Sequence, residues 1–135
     1  MEKKILIGTL VGTVVQFCLG GLVFVVLLKD MMAEWMTAFQ GCAHAEPPML
    51  PVVLAQLVIS LLLAILMHRN AISTFKGGAM FGLLFFLLIY IWFDLWMFAS
   101  FTGMTSKLMM IDAISNTIIG TITAGFVGWV YGKMG

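Results

Sequence analysis

Two carboxylates, Asp94 and Asp112, lie within long apolar stretches of the sequence. A carboxylate inside a membrane span costs about 2.5–3.5 kcal/mol, so such residues usually face protein or trapped water and mark an ion, proton or ligand route. No Lys or Arg lies within these stretches to neutralise either acid. The partners that the sequence offers are amide or phenol groups, or a bound cation. The candidate binding site therefore comprises Gln16, Gln56, Tyr90, Asp94, Asp112 and Asn116.

The residues around Asp94 predict which way its side chain points. Trp92 and Trp96 are four residues apart and define one helix face, which the preference of Trp for membrane interfaces assigns to lipid. Asp94 is two residues from each, about 200° around the helix, so it turns toward the other helices. A purely structural role stays open for both acids, because Tyr90 can hydrogen-bond Asp94 and a helix dipole favours Asp112 in the first turns. If the two carboxyls share one cavity, they can also share a proton.

The composition of the chain indicates that these acids belong to a membrane protein. Of the 135 residues, 62% are hydrophobic and 10% are charged, whereas a soluble domain carries about 25% charged residues. Four apolar stretches, at about 5–28, 51–67, 78–101 and 108–131, approach or exceed the roughly 20 residues that a helix needs to cross a bilayer. The sequence predicts an all-α integral membrane four-helix bundle, built as a single transmembrane domain over residues 1–135.

The basic residues orient this bundle. Five of the seven fall on one side of the predicted spans and two on the other. The first group is Lys3, Lys4, Arg69, Lys76 and Lys133, and the second is Lys29 and Lys107. The positive-inside rule then places both the N- and C-termini in the cytoplasm. The first stretch is expected to remain as an anchor, since its apolar run is too long for a signal peptide.

Each predicted span carries small or polar residues at a four-residue spacing, which places them on one helix face. The small members are expected to pack the helices closely, and they are Gly8, Gly12, Gly20, Gly78, Gly82, Gly120, Ala124 and Gly128. The amide and carboxyl side chains fall at mid-span or in the outer half, which predicts an outward-facing polar cavity above a tightly packed seal. A glycine pair could instead mediate a homodimer.

The outer segment, about 29–49, has the spacing of a short amphipathic helix lying on the membrane surface, either as a lid over the cavity or as a plain connector. Soft ligands lie on this outer side and could in principle hold Cu(I). They are Met31, Met32, Met36, Met49, Met97, Met104, Met109 and Met110, with Cys42 and His44. No repeated metal-binding spacing accompanies them, so the sequence predicts no metal site and no cofactor.

Three segments resemble a family of small bacterial four-span membrane proteins that is catalogued as a domain of unknown function. The first is Gly20-Gly21 followed by Phe24, Lys29 and Trp35-Met36, and the second is 77–82. The third is 108–113, which runs into Ile119-Gly120 and Gly125. Where the family tends to carry a Trp-Tyr pair, this chain has Val23-Phe24-Val25. The resemblance implies four spans and a retained acid at Asp112, and it implies no activity.

Motifs and charge narrow the functional classes. No nucleotide-binding loop, nucleophile elbow, zinc-binding motif or CxxC occurs, so we expect no enzymatic activity. A net charge of +1 without a basic tract argues against nucleic acid as a partner. The leading hypothesis is a multi-pass protein of the bacterial inner (plasma) membrane that binds a small ligand or a cation, in transport or in a homo-oligomer. The alternatives are a ligand-free structural or accessory subunit that binds another membrane protein and, third, a membrane enzyme.

Overall fold

The computed structural model describes residues 2–44 and 46–135. Its regular elements are α1 (Glu2–Gly20), a π-helical segment (Gly21–Leu27), α2 (Lys29–Ala38), α3 (Met49–Arg69), α4 (Phe75–Ser100) and α5 (Ser106–Lys133). Four helices are long and apolar enough to cross a membrane: α1 with the π segment, α3, α4 and α5. The predicted all-α class with four membrane helices is confirmed, and the chain is a multi-pass membrane protein.

The helix bounds differ from those read from hydropathy by up to three residues at each end. The lengths differ most in α3 and α5: α3 has 21 residues where the apolar stretch has 17, and α5 has 28 where the stretch has 24. Met49 and Leu50 begin α3 ahead of Pro51, which a first helical turn accommodates because that turn lacks internal N–H partners. The polar residues His68 and Arg69 continue it at the other end, where a hydropathy profile stops.

Hydroxyl side chains fix the starts of the last two spans. Thr74 Oγ1 accepts a hydrogen bond from the backbone N–H of Gly77 at 3.0 Å, which caps α4. Thr105 Oγ1 accepts one from the N–H of Leu108 at 3.2 Å, which caps α5. A cap of this kind stabilises a helix by about 1 kcal/mol.

The four spans are ordered α3, α1, α5, α4. The helix α1 packs between α3 and α5, and α4 packs on the other side of α5. The interface between α4 and α5 is the most extensive in the bundle. One end of the bundle carries Lys4, Arg69, Lys76 and Lys133 and is called the basic end; the other is called the α2 end. At the basic end α3 also contacts α5, because the Tyr131 hydroxyl of α5 donates to the carbonyl oxygen of Ala64 in α3 at 3.1 Å. Lys4 donates there to the backbone oxygen of Gly135, so both ends of the chain meet at the basic end.

Two apolar clusters hold these helices together. The buried members of the cluster nearer the basic end are Leu63, Met67, Phe86, Ala124, Val127 and Tyr131. The cluster at the α2 end is built on Met31, Met104 and Leu108 and joins α2 to the start of α5. The amphipathic helix expected in the outer segment is therefore present at Lys29–Ala38, packed against the protein on one face.

Close backbone approach at glycine explains the tight α4–α5 interface. A Cβ added at Gly78 would overlap the carbonyl oxygen of Ala124, and one at Gly128 would overlap that of Thr74. At Gly82 the added atom would lie 2.9 Å from the carbonyl oxygen of Gly120. Backbones that meet this closely gain dispersion and weak hydrogen-bonding contacts, which drive helix association in lipid.

The remaining predicted packing residues divide into two groups. Gly8 lies against the Tyr131 hydroxyl, Gly12 lies against Ser60, and Gly120 lies under the ring of Phe86. Gly20 differs, since no neighbouring atom lies within 4 Å of the position of its Cβ. It stands where α1 passes into the π segment, whose main contacts are with α1 and α2.

Candidate functional site

Asp94 is the most deeply buried polar residue near the α2 end. Its side chain is 0% exposed, while Trp92 and Trp96 on the same helix are 62% and 61% exposed. The two Trp rings therefore face outward and the carboxyl faces the bundle, as the spacing predicts. Neither carboxyl oxygen of Asp94 has a hydrogen-bond partner among residues 2–44 and 46–135.

Asp112 lies opposite Asp94 across the α4–α5 interface. The two carboxyl groups are neighbours, and because ionised carboxylates only accept hydrogen bonds, they can bond to each other only if a proton lies between them. Asn116, one turn further along α5, donates from Nδ2 to Asp112 Oδ1 at 3.0 Å and to the Asp112 backbone oxygen at 2.9 Å. Tyr90, one turn before Asp94 in α4, is close to both acids. These four residues form the acid-pair site.

Gln16 and Gln56 belong to a different interface. Gln16 is buried between α1 and α3, where the Ser60 hydroxyl donates to its Oε1 at 3.4 Å. Gln56 Oε1 is buried without a partner in the described part of the chain. No hydrogen bond between described side chains joins either glutamine to Asp94 or Asp112. The structure thus brings together four of the six predicted site residues and places the two glutamines in a second polar group.

Ser60 is the residue that completes this second group, and the sequence analysis did not assign it a role. It is 1% exposed and is the only hydroxyl donor that reaches Gln16 among the described residues. Its position four residues after Gln56 was the available signal, because that spacing puts both side chains on one face of α3.

The layer on the basic-end side of the acid pair is closed. The Phe86 ring is 0% exposed, lies on Gly120 and stacks on Tyr90 with ring centroids 6.3 Å apart. The nearby hydroxyls of Thr117 and Thr121 donate to backbone carbonyl oxygens of their own helix, at 2.6 and 2.7 Å. Both hydroxyls are therefore bonded within α5, and the Phe86 ring covers the side of the acid-pair site that faces the basic end.

An open groove of about 440 Å³ lies at the α2 end. It runs between α2 and the start of α5, and Asp30, Glu34, Thr37, Thr105 and Leu108 are among its lining residues. Lys107 Nζ contacts Glu34 Oε1 at 3.1 Å, which ties α2 to α5 across it. A second groove, of about 430 Å³, lies between α1 and α3 toward the basic end and is lined by apolar side chains such as Leu57 and Leu61. Neither groove is lined by the two acids.

Conventional metal ligands do not converge in the described residues. No group of three or more His, Cys, Asp or Glu side chains there could hold a metal ion. Cys18 and Cys42 are both exposed and are not joined in a disulfide. The acid pair therefore offers two carboxylates, one amide and one phenol to a bound species.

Residues 7–128 match the family model described as Protein of unknown function (DUF1761). This chain belongs to the DUF1761 family. No curated protein and no solved structure shows significant similarity to it. The matched range begins within α1 and ends within α5, so α3, α4, the acid-pair site and most of α1 and α5 lie inside the DUF1761 domain.

Proposed function

We propose that this DUF1761 protein binds a cation, either a metal cation or a proton, at the acid-pair site. The observation that carries the proposal is the burial of Asp94 beside Asp112 with both of its oxygens unpartnered in the described structure. Two neighbouring carboxylates that are both charged repel strongly in a medium of low dielectric constant. A shared proton or a bound cation removes that repulsion.

No basic side chain among the described residues pairs with either acid. The apolar stretches 78–101 and 108–131, which hold the two acids, contain no Lys or Arg, and Asn116 donates to Asp112 through a neutral amide. In the orientation given by the positive-inside rule, the α2 end faces outward, so the site would be loaded from outside the cell. We propose a bacterial inner (plasma) membrane location and a role in cation transport, with a second copy or another membrane protein as the partner.

The test compares Asp94→Asn with the wild type and with Asp30→Asn, which removes an exposed acid on α2. Native mass spectrometry of the detergent-solubilised protein, equilibrated with Na⁺ or K⁺, reports a bound metal cation. Infrared spectroscopy reports a proton, because a protonated carboxyl has a C=O band that a carboxylate lacks. We expect one of the two signals in the wild type, its loss in Asp94→Asn, and its retention in Asp30→Asn.

The second candidate is a structural or accessory subunit without a ligand, and the local bonding of Asp112 favours it. Asn116 bonds both the side chain and the backbone of Asp112 on its own helix, an arrangement that can simply fix the helix in lipid. If the wild type shows neither a bound cation nor a protonated carboxyl, cation binding is refuted and this candidate replaces it. A bound protein that co-purifies with both variants would then identify the partner.

A further inference from the structure

Five methionines from separate parts of the sequence meet at the α2 end. Met31 and Met104 are 7% and 3% exposed and form the buried centre of the cluster with Leu108. Met32, Met97 and Met109 pack against that centre. The thioethers come from α2, the end of α4, the α4–α5 connection and the start of α5. We call these five residues the methionine cluster.

The methionine cluster stands next to the acid-pair site. Met97 follows Asp94 by three residues in α4, and Met109 precedes Asp112 by three residues in α5. Residues three apart are neighbours on one helix face. Because α4 ends and α5 begins at the α2 end, both methionines lie one turn further out than the acids.

An open groove also borders the methionine cluster. Leu108, at the buried centre of the cluster, lines the groove of about 440 Å³ at the α2 end. Asp30 and Glu34 line the same groove, and because Lys107 pairs with Glu34, Asp30 is the acid that stays without an ion-pair partner among the described residues. An acidic side chain at the mouth of a groove raises the local concentration of cations. A cation that enters the groove therefore reaches Leu108, beside which the methionines pack.

Thioether sulfur is a soft, neutral ligand that selects soft monovalent metals such as Cu(I). Neutral ligands suit a buried site because burial of an unpaired charge is costly. An empty thioether site buries no charge, and an occupied one buries only the charge of the ion. Methionine also fills irregular cores as an adaptable apolar residue. The two roles differ in one respect: only metal binding needs sulfur, whereas filling needs volume alone.

We propose that the methionine cluster is a binding site for a soft monovalent metal cation, of the Cu(I) and Ag⁺ class. The site uses none of the acid-pair residues, so it stands whether or not Asp94 and Asp112 bind a cation. Spacing along the chain did not predict it, since its ligands converge only when α2 folds onto the end of α4 and the start of α5.

Silver ion is the probe, because it shares the charge and softness of Cu(I) and is stable in air. Binding to the purified full chain in a sulfur-free detergent is measured by isothermal titration calorimetry for three proteins. They are the wild type, Met31→Leu/Met104→Leu, and the control Met80→Leu/Met110→Leu, whose methionines are 62% and 58% exposed. Leucine for methionine conserves volume, which packed cores tolerate. Cys18 and Cys42 are the same in all three proteins, so silver that binds them does not distinguish the variants.

We expect the cluster variant to bind silver at least about tenfold more weakly than the wild type, since even second-shell changes at metal sites cost about that much. The control should bind as the wild type does. Equal affinity in all three proteins would overturn the proposal and leave the methionines as core residues. If circular dichroism shows that the double variant has not folded, the neighbouring single changes Met109→Leu and Met110→Leu give the same comparison. There too, equal affinity would overturn the proposal.

Discussion

Replacing Gly78 by Ala tests the closeness of α4 and α5 directly. The added Cβ would overlap the backbone carbonyl oxygen of Ala124, and Met67 Cε would lie 3.1 Å away. A carbonyl within a helix cannot rotate aside as a flexible side chain can, so the two helices must separate. Overpacking of this kind costs about 1–3 kcal/mol, while alanine in place of glycine returns about 1 kcal/mol of helix propensity. We expect Gly78→Ala to lower the free energy of unfolding by up to about 2 kcal/mol, which is about 1–3 kcal/mol below the effect of the same change where there is space.

Gly20→Ala is the matched control, because it makes the same chemical change where there is space. No atom lies within 4 Å of its Cβ position, and its φ of −60° and ψ of −46° suit alanine. Here only the propensity gain operates, so stability should stay level or rise by up to about 1 kcal/mol. Unfolding by sodium dodecyl sulfate in mixed micelles, followed by circular dichroism, measures both variants. Equal stability of Gly78→Ala and Gly20→Ala would refute the close α4–α5 approach.

Three further changes test individual contacts. Tyr131→Phe removes the hydroxyl that donates to the Ala64 carbonyl oxygen at 3.1 Å. It should lower the free energy of unfolding by about 0.6 kcal/mol in the same assay, the average for hydrogen bonds within membrane proteins. An unchanged unfolding midpoint would contradict that bond. The side chains of the Lys107–Glu34 ion pair are 66% and 51% exposed. A double-mutant cycle with Lys107→Met and Glu34→Gln should therefore give a coupling energy below about 1 kcal/mol that falls with added salt. A larger, salt-independent coupling energy would show that the pair is shielded from solvent. Ser60→Ala should lower stability by about 0.6 kcal/mol, whereas the volume-conserving Ser60→Cys should lower it less; equal losses would show that Gln16 does not depend on this donor.

The direction of Asp94 was predictable because it depends on a single helix. Trp92, Asp94 and Trp96 share one regular α helix, so 100° per residue is enough to place the carboxyl away from the two rings. The four spans were predictable for a similar reason, since the length of an apolar run reports crossing without any knowledge of neighbours. The ends of the helices were less predictable, because polar residues such as His68 and Arg69 extend a helix beyond its apolar run.

The grouping of the polar residues could not be predicted, because it depends on the order of the helices. The sequence gives an approximate depth for Gln16 and for Asp94 without giving their neighbours. Since α1 packs between α3 and α5, Gln16 meets Ser60 of α3, while Asp94 on α4 meets Asp112 of α5. The sequence placed eight methionines on the outer side, and which five of them meet could not be predicted for the same reason, because that depends on α2 folding onto α5.

The π segment Gly21–Leu27 bears on how chain length can vary among relatives. Within it a backbone N–H reaches the carbonyl five residues back, as Leu28 does to Val23 at 2.7 Å, so the segment holds one residue more than an α-helical turn would. Deleting one residue there would let the segment close as α helix while α1 and α2 keep their rotational phase. Deletion of a single residue should therefore be tolerated at 21–27, whereas elsewhere in a span it would turn every following side chain by about 100°.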